Sequence, residues 1–127
     1  MANELILIVE DNEKNLKLVR DVLQYKGYQT IEAGTGEDGV RLAKARTPDL
    51  ILMDIQLPGI DGITALLELR ADPATRAIPV IAVTASAMTH DRKKIMAAGF
   101  DGYQSKPIKV KELMDVVREM LDRRGEP

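Results

Sequence analysis

The sequence has no cysteine, no tryptophan and one phenylalanine among its 127 residues, and aromatic residues make up only 3% of it. The lack of cysteine excludes disulfides, zinc–thiolate sites and thiol nucleophiles, which fits a reducing compartment. Hydrophobic residues nevertheless reach 45% of the chain. A chain of this composition is not intrinsically disordered, and its core must be aliphatic.

The sequence also lacks an excess of positive charge. Its 18 Lys and Arg residues against 20 Asp and Glu residues give a net charge of -2, whereas a protein that follows the phosphates of a nucleic acid is usually basic. The first apolar run, Leu5–Val9, is too short for a signal peptide or for the ~20 residues of a membrane span. We expect a cytoplasmic protein that binds neither nucleic acids nor membranes.

The length predicts a single domain over residues 1–127, with its core at about 4–123 and a polar C-terminal tail. Short aliphatic runs alternate with longer amphipathic segments, which is typical of an α/β domain with a parallel sheet. The predicted strands are Leu5–Val9, Tyr28–Glu32, Leu50–Met53 and Val80–Val83, with a weaker fifth near Tyr103. We predict a flavodoxin-like, doubly wound sheet of five parallel strands in the order 2-1-3-4-5, with five helices.

Apolar residues at helical spacing mark the core-facing sides of three predicted helices. They are Leu16, Val19 and Leu23 in the first helix, Ile63, Leu66 and Leu67 in the third, and Val110, Leu113, Met114, Val117 and Leu121 in the last. Boundary signals are Gly27 after the first helix, Asp61 as a cap of the third, Pro79 before the fourth strand and Gly99 after the fourth helix. The fourth helix, where charged residues interrupt Met88, Ile95 and Ala98, is expected to hold the sheet weakly.

Residues 34–39 read GTGEDG, a literal match to the G-x-G-x-x-G dinucleotide fingerprint. That fingerprint normally follows the first strand, at the switch point of the sheet, whereas here it follows the second, at the predicted sheet edge. The first strand ends instead in Glu10 and Asp11, whose charges would repel a pyrophosphate. We therefore interpret the segment as a turn with a glycine-rich helix start.

Carboxylates follow the two strands that border the predicted switch point. Glu10 and Asp11 follow the first strand and Asp54 follows the third, so the three should converge at one edge of the sheet. Two like charges about 4 Å apart repel each other by about 1 to 4 kcal/mol, depending on the effective dielectric constant. A bound cation would offset this repulsion. Oxygen ligands favour Mg²⁺.

Two further groups end the neighbouring strands. Thr84 follows the fourth apolar run and Lys106 follows the fifth. Alone, each would be interpreted as a cap or a solvated side chain. Together with the three carboxylates, they supply what phosphoryl transfer requires: metal ligands, a nucleophilic carboxylate, a hydroxyl donor and a fixed cation.

Four segments resemble the signature blocks of the response regulator receiver domain, the CheY-like family, and the resemblance covers the whole chain. The segments are LILIVEDN, PDLILMDIQLPGIDG, PVIAVTASA and GYQSKPI. The VEDNE start and the predicted single domain are similar to stand-alone DivK-type regulators, and also to receivers carried by hybrid histidine kinases.

The resemblance implies a two-component phosphorelay response regulator in which Asp54 accepts a phosphoryl group from a phosphohistidine. It implies Mg²⁺ as cofactor, with Asp11 and Asp54 as ligands together with the backbone carbonyl of Gln56, whose side chain could tune the access of water. Glu10 stands where many members have Asp, and is expected to hold the metal through water. Lys106 matches the fixed cation, in a Lys106–Pro107 peptide that is usually cis in the family.

The resemblance also implies a switch and its partners. Thr84 matches the hydroxyl that moves toward the phosphoryl group, and Tyr103 matches the aromatic residue that follows it inward. The implied partners are a histidine kinase or histidine phosphotransfer protein, and a downstream protein bound through the face of the fourth helix, fifth strand and fifth helix. His90 matches no site residue and is expected to be exposed.

Two other functions are compatible with these residues. A Mg²⁺-dependent aspartyl phosphatase shares the Asp, Lys and Thr, but usually carries a second Asp two residues after its nucleophile, where this chain has Gln56. An interaction module that has lost phosphotransfer should have lost at least one of the five groups. We therefore expect a signalling phosphoacceptor, with no enzymatic activity beyond self-phosphorylation and autodephosphorylation.

Overall fold

Strands and helices alternate along the chain. The computed structural model describes residues 3–85 and 89–123, with the side chains of residues 89–91 outside that description. The elements are β1 Leu5–Val9, α1 Glu13–Tyr25, β2 Gln29–Ala33, α2 Gly36–Arg46, β3 Leu50–Asp54, α3 Gly62–Ala71, β4 Val80–Thr84, α4 Thr89–Ala97, β5 Gly102–Ser105 and α5 Val110–Arg123.

The five strands form one parallel sheet in the order β2-β1-β3-β4-β5, which confirms the predicted topology. Its register aligns the strand ends that carry polar residues: Val9 pairs with Met53, Asp54 with Val83 and Thr84 with Ser105. The residues that follow or end four neighbouring strands therefore meet at one edge of the sheet.

Both faces of the sheet are covered, which explains why the strands are continuous apolar runs. Alternate strand residues such as Leu7 and Ile51 pack under α2, α3 and α4. Their neighbours Ile6 and Leu50 pack under α1 and α5. Each face forms an aliphatic core.

The predicted boundary signals act as expected. The Asp61 side chain accepts a hydrogen bond from the Thr64 amide at 2.8 Å and caps α3. Gly27 and Gly99 follow α1 and α4 with φ angles of 94° and 115°, a region that favours glycine. Pro79 directly precedes β4.

Two of the predicted core positions are wrong. Leu67 is 56% exposed and Val110 is 44% exposed. A helix buries one stripe, and on α3 that stripe runs through Leu66 and Leu69, so Leu67 lies about 100° around the helix. Val110 is the first residue of α5, and the buried stripe begins one turn later at Leu113.

The fourth helix differs from the others as expected. Ile95 is its buried residue among the described side chains, whereas Arg92, Lys93, Lys94 and Met96 are exposed. Met88, predicted on the apolar face of this helix, and the His90 side chain, predicted to be exposed, lie outside the described residues. Within the described ranges, no helix combines the length and apolarity that a bilayer crossing needs.

Candidate functional site

Polar groups from four strands converge at the carboxyl edge of the sheet. Glu10 follows β1, Asp54 ends β3 and Thr84 ends β4, and these three residues are 5%, 4% and 2% exposed. Lys106 follows β5, where its backbone amide donates to the Thr84 carbonyl at 2.8 Å. The structure therefore brings together side chains that are far apart in the sequence.

Lys106 joins the two buried carboxylates. Its Nζ lies 2.9 Å from Asp54 Oδ2 and 2.9 Å from Glu10 Oε1. Because Asp54 and Glu10 are taken out of water beside each other, the ammonium group offsets a repulsion that would otherwise destabilise the fold. The predicted fixed cation thus contacts the predicted phosphoacceptor directly.

Backbone amides orient the remaining carboxylate oxygens. The Asn12 amide donates to Glu10 Oε2 and the Gln56 amide donates to Asp54 Oδ1, each at 3.1 Å. The Ile55 amide donates to the Val83 carbonyl at 3.0 Å, which ties the start of the β3–α3 loop to β4. Both buried carboxylates are therefore held at each oxygen.

The carboxylates fit a divalent cation. Glu10, Asp11 and Asp54 each offer an oxygen, and these three oxygens lie within 4.8 Å of one another. Asp11 is exposed, so the cluster opens to solvent on one side. A set of three carboxylate oxygen donors suits Mg²⁺, which keeps several waters when it binds to proteins.

The electrostatics of the cluster shift the pKa of two of its groups. Burial, followed by the neighbouring Asp54 carboxylate, raises the pKa of Glu10 to about 7 against the opposing effects of Lys106 and the Asn12 amide. Burial lowers the pKa of Lys106, but its hydrogen bonds to Asp54 and Glu10 outweigh this effect and leave that pKa above its usual value. Lys106 therefore stays charged in the site.

Tyr103 lies on the side of β5 that faces α4, rather than among the carboxylates. It is half-buried against the core under α2, α3 and α4, and the guanidinium carbon of Arg92 lies 5.2 Å from its ring centroid. The geometry is that of a cation–π contact between α4 and the edge strand. The Lys106–Pro107 peptide is cis, as the family resemblance implies.

Asn12 is a site residue for which no role was predicted from the sequence. This residue connects the site to α1: its amide holds Glu10, and its side chain accepts from the Lys14 and Asn15 amides at 3.0 and 3.1 Å. An Asn directly before an amphipathic segment is a favoured helix cap, so the signal was present in the sequence.

Comparison with known proteins agrees with this geometry. A family model described as "Response regulator receiver domain" matches residues 6–118. The chain belongs to the response regulator receiver family. Receivers are signalling domains of two-component systems rather than enzymes in the usual sense; they bind Mg²⁺ in an acidic site and interact with histidine kinases or phosphotransfer proteins and with downstream targets.

Individual receivers are similar over nearly the whole chain. The polar-differentiation response regulator DivK of Brucella ovis is 46% identical over 116 residues, which cover 91% of this chain and 94% of DivK. The receiver domain of the sensor histidine kinase PA1611 from Pseudomonas aeruginosa, solved with magnesium in its active site cleft, is 37% identical with a TM-score of 0.88, and the match covers 95% of this chain and 99% of that one. A putative response regulator from Chloroflexus aurantiacus is 30% identical with a TM-score of 0.90, covering 94% and 98%.

Replacement of Glu10 by Gln should alter the pH dependence of stability in metal-free protein. The folded-state pKa of about 7 lies above the ordinary value of 4.5. Between those values the folded receiver binds more protons than the unfolded chain, so its unfolding free energy should fall as pH rises, by on the order of 2–3 kcal/mol from this group. Urea denaturation in EDTA should therefore show that the unfolding free energy of Glu10→Gln rises relative to that of the wild type between pH 5 and 8. Parallel curves for the two proteins would contradict this prediction.

Proposed function

We propose that this receiver accepts a phosphoryl group on Asp54 from a phosphohistidine of a histidine kinase or histidine phosphotransfer protein. The observation that carries the proposal is the environment of Asp54, a buried carboxylate whose oxygens are oriented by Lys106 and the Gln56 amide beside two further carboxylates. The proposed nucleophile, the lysine and the proposed metal ligands lie together at the carboxyl ends of the strands, where ligands of open parallel sheets bind.

In the proposed transfer, a carboxylate oxygen of Asp54 attacks the phosphorus of the phosphohistidine. The new phosphorus–oxygen bond gives an acyl phosphate as the phosphorus–nitrogen bond breaks. The imidazole nitrogen keeps the bonding electron pair and takes a proton from solvent. Because the transition state is loose, with charge spread over the phosphoryl oxygens, the receiver contributes mainly positioning and charge stabilisation.

We assign the supporting roles residue by residue. Asp11, Asp54 and the Gln56 carbonyl would hold Mg²⁺, with Glu10 acting through a water, and the ion when bound would neutralise charge on the phosphoryl oxygens. Lys106, released from Asp54, would bind a phosphoryl oxygen, and the Thr84 hydroxyl would donate to another. The exposed Gln56 side chain would limit the access of the water that hydrolyses the acyl phosphate.

Phosphorylation would act on the face formed by α4, β5 and α5. It replaces the Asp54 carboxylate with a larger dianionic group, and the two residues that would contact this group, Thr84 and Lys106, end β4 and follow β5. The weak anchoring of α4 through Ile95 and the contact between Arg92 and Tyr103 mark the part of this face that would rearrange. A downstream protein would bind there, and the cytoplasmic location expected from the sequence stays a prediction.

The phosphatase alternative has less support. The position two residues after Asp54 is Gln56, whose amide cannot act as the general acid that those enzymes use. Turnover of an unrelated phosphomonoester well above an Asp54→Asn control would favour that alternative.

Incubation with acetyl phosphate should give one phosphoryl adduct in the intact mass. The adduct should require Mg²⁺ and should be absent from Asp54→Asn, because that variant lacks the nucleophile while it keeps the shape of the side chain. Lys106→Met should reduce adduct formation by at least tenfold through loss of charge stabilisation. An adduct that persists in Asp54→Asn would refute the proposal. No adduct in wild-type protein with Mg²⁺ bound would favour a strictly kinase-dependent receiver or a phosphorylation-independent interaction module, and no transfer from a phosphorylated histidine kinase would then rule out the first.

Thr84→Ala should separate phosphorylation from switching. We expect this variant to form the adduct but to lose more than half of the phosphorylation-induced changes in the amide NMR spectrum over residues 92–98 and 102–105. Thr75→Ala is the matched control, because it removes another buried hydroxyl, which donates to the Leu69 carbonyl at 2.7 Å. Undiminished changes in Thr84→Ala, or an equal loss in Thr75→Ala, would rule out Thr84 as the switch.

A further inference from the structure

The GTGEDG segment has a different use from the one that its pattern suggests. It follows the edge strand β2, and Thr35 caps α2 by accepting a hydrogen bond from the Asp38 amide at 3.1 Å. The α2 helix therefore begins at Gly36, and its first turn faces the loop between β3 and α3. This loop, residues 55–61, directly follows Asp54 and contains Gln56.

Gly36 allows α2 to touch the backbone of that loop. A Cβ atom at this position would lie 2.6 Å from Ile60 Cγ1 and 2.7 Å from the Ile60 carbonyl oxygen. A flexible side chain could yield to such a contact, but a backbone carbonyl cannot do so unless the loop moves. The helix start and the loop are therefore closer than any other amino acid would permit.

Glu37 makes the second contact. Its Oε2 accepts a hydrogen bond from the Ile60 amide at 3.3 Å. Gly59, with a φ angle of 77°, lies against the same carboxylate, since a Cβ there would be 2.5 Å from Glu37 Oε2. The Glu37 side chain thus follows the backbone of the loop over two residues.

The loop has supports at both ends and in its middle. At its start the Ile55 amide is held by β4, and at its end the Gly62 amide donates to the Ile55 carbonyl at 2.9 Å. Leu57 and Ile60 pack against the core, and Gly36 and Glu37 hold the turn at residues 59 and 60. Gln56 lies between these fixed ends. A change at the start of α2 should therefore reach Gln56 through the loop backbone.

We propose that Gly36 and Glu37 are positioning residues for the site: they hold the β3–α3 loop in place and so set the position of the Gln56 backbone. The inference rests on the proposed function, because it is there that the Gln56 carbonyl becomes a Mg²⁺ ligand. Mg²⁺ demands near-ideal octahedral geometry, so a displacement of one ligand should weaken binding measurably. The segment that resembles a nucleotide fingerprint would thus act on the metal site without touching it.

Calorimetric titration of metal-free Gly36→Ala with MgCl₂ should give a dissociation constant for Mg²⁺ about five- to tenfold higher than that of the wild type. In the absence of metal, the amide NMR signals of residues 55–60 should shift, while those of β1 stay near their wild-type positions. The second measurement reports the loop itself and needs neither Mg²⁺ nor phosphorylation.

Variants of Glu37 test the same inference where Gly36→Ala folds poorly. Glu37→Ala removes the acceptor of the Ile60 amide and should weaken Mg²⁺ binding about two- to threefold. Glu37→Gln keeps an acceptor oxygen and should restore most of the affinity. A purely charge-based effect of Glu37 on the cation would instead make the Gln and Ala variants equal, which would contradict the positioning role.

Leu121→Ala is the control for loss of stability. Leu121 is buried near the end of α5, in the core on the opposite face of the sheet. We expect it to lower the denaturation midpoint without changing Mg²⁺ affinity. Wild-type affinity and unshifted loop signals in both Gly36→Ala and Glu37→Ala would overturn the inference. Because wild-type phosphorylation is measured separately, failure of the proposed function would be recognised on its own.

Discussion

The arrangement of the site depends on offsetting the repulsion between carboxylates that the sheet order places side by side. Strand order 2-1-3-4-5 brings the end of β1 next to the end of β3, so Glu10 and Asp54 are buried as neighbours. Lys106 holds both at 2.9 Å in the metal-free protein. A site built in this way favours cations, and a bound metal ion would offset the repulsion that Lys106 offsets in the metal-free protein.

Lys106 links this constraint to the rest of the receiver. Its side chain reaches Asp54 and its backbone amide bonds to Thr84, so a rearrangement of the ammonium group acts at the ends of β4 and β5 together. The helix between those strands, α4, buries Ile95 alone among its described side chains. In the proposed switch, the sheet would hold the reacting groups at one edge and the adjacent helix would respond to their rearrangement.

Much of this arrangement follows from the sequence, because doubly covered strands are continuous apolar runs and the polar residues that end them stand out. Glu10, Asp11, Asp54, Thr84 and Lys106 were all placed at the strand ends in this way. Contacts that depend on the packing distance between elements could not be predicted. Leu67 shares its apolar character with Leu66 but not its orientation, and the closeness of Gly36 to Ile60 exists only once α2 and the loop are assembled. The ion pair between Lys106 and Glu10 could not be predicted either, because it depends on the distance between β1 and β5 in the assembled sheet.

Of the two carboxylates that Lys106 contacts, Asp54 is the proposed phosphoacceptor, and the most direct test is to locate the acyl phosphate. Borohydride reduces the acyl phosphate of an aspartate to homoserine, which tandem mass spectrometry can assign to a position. After treatment with acetyl phosphate and Mg²⁺, homoserine should be found at residue 54 and nowhere else. Homoserine at Asp11 or another aspartate, with residue 54 unmodified, would contradict the account.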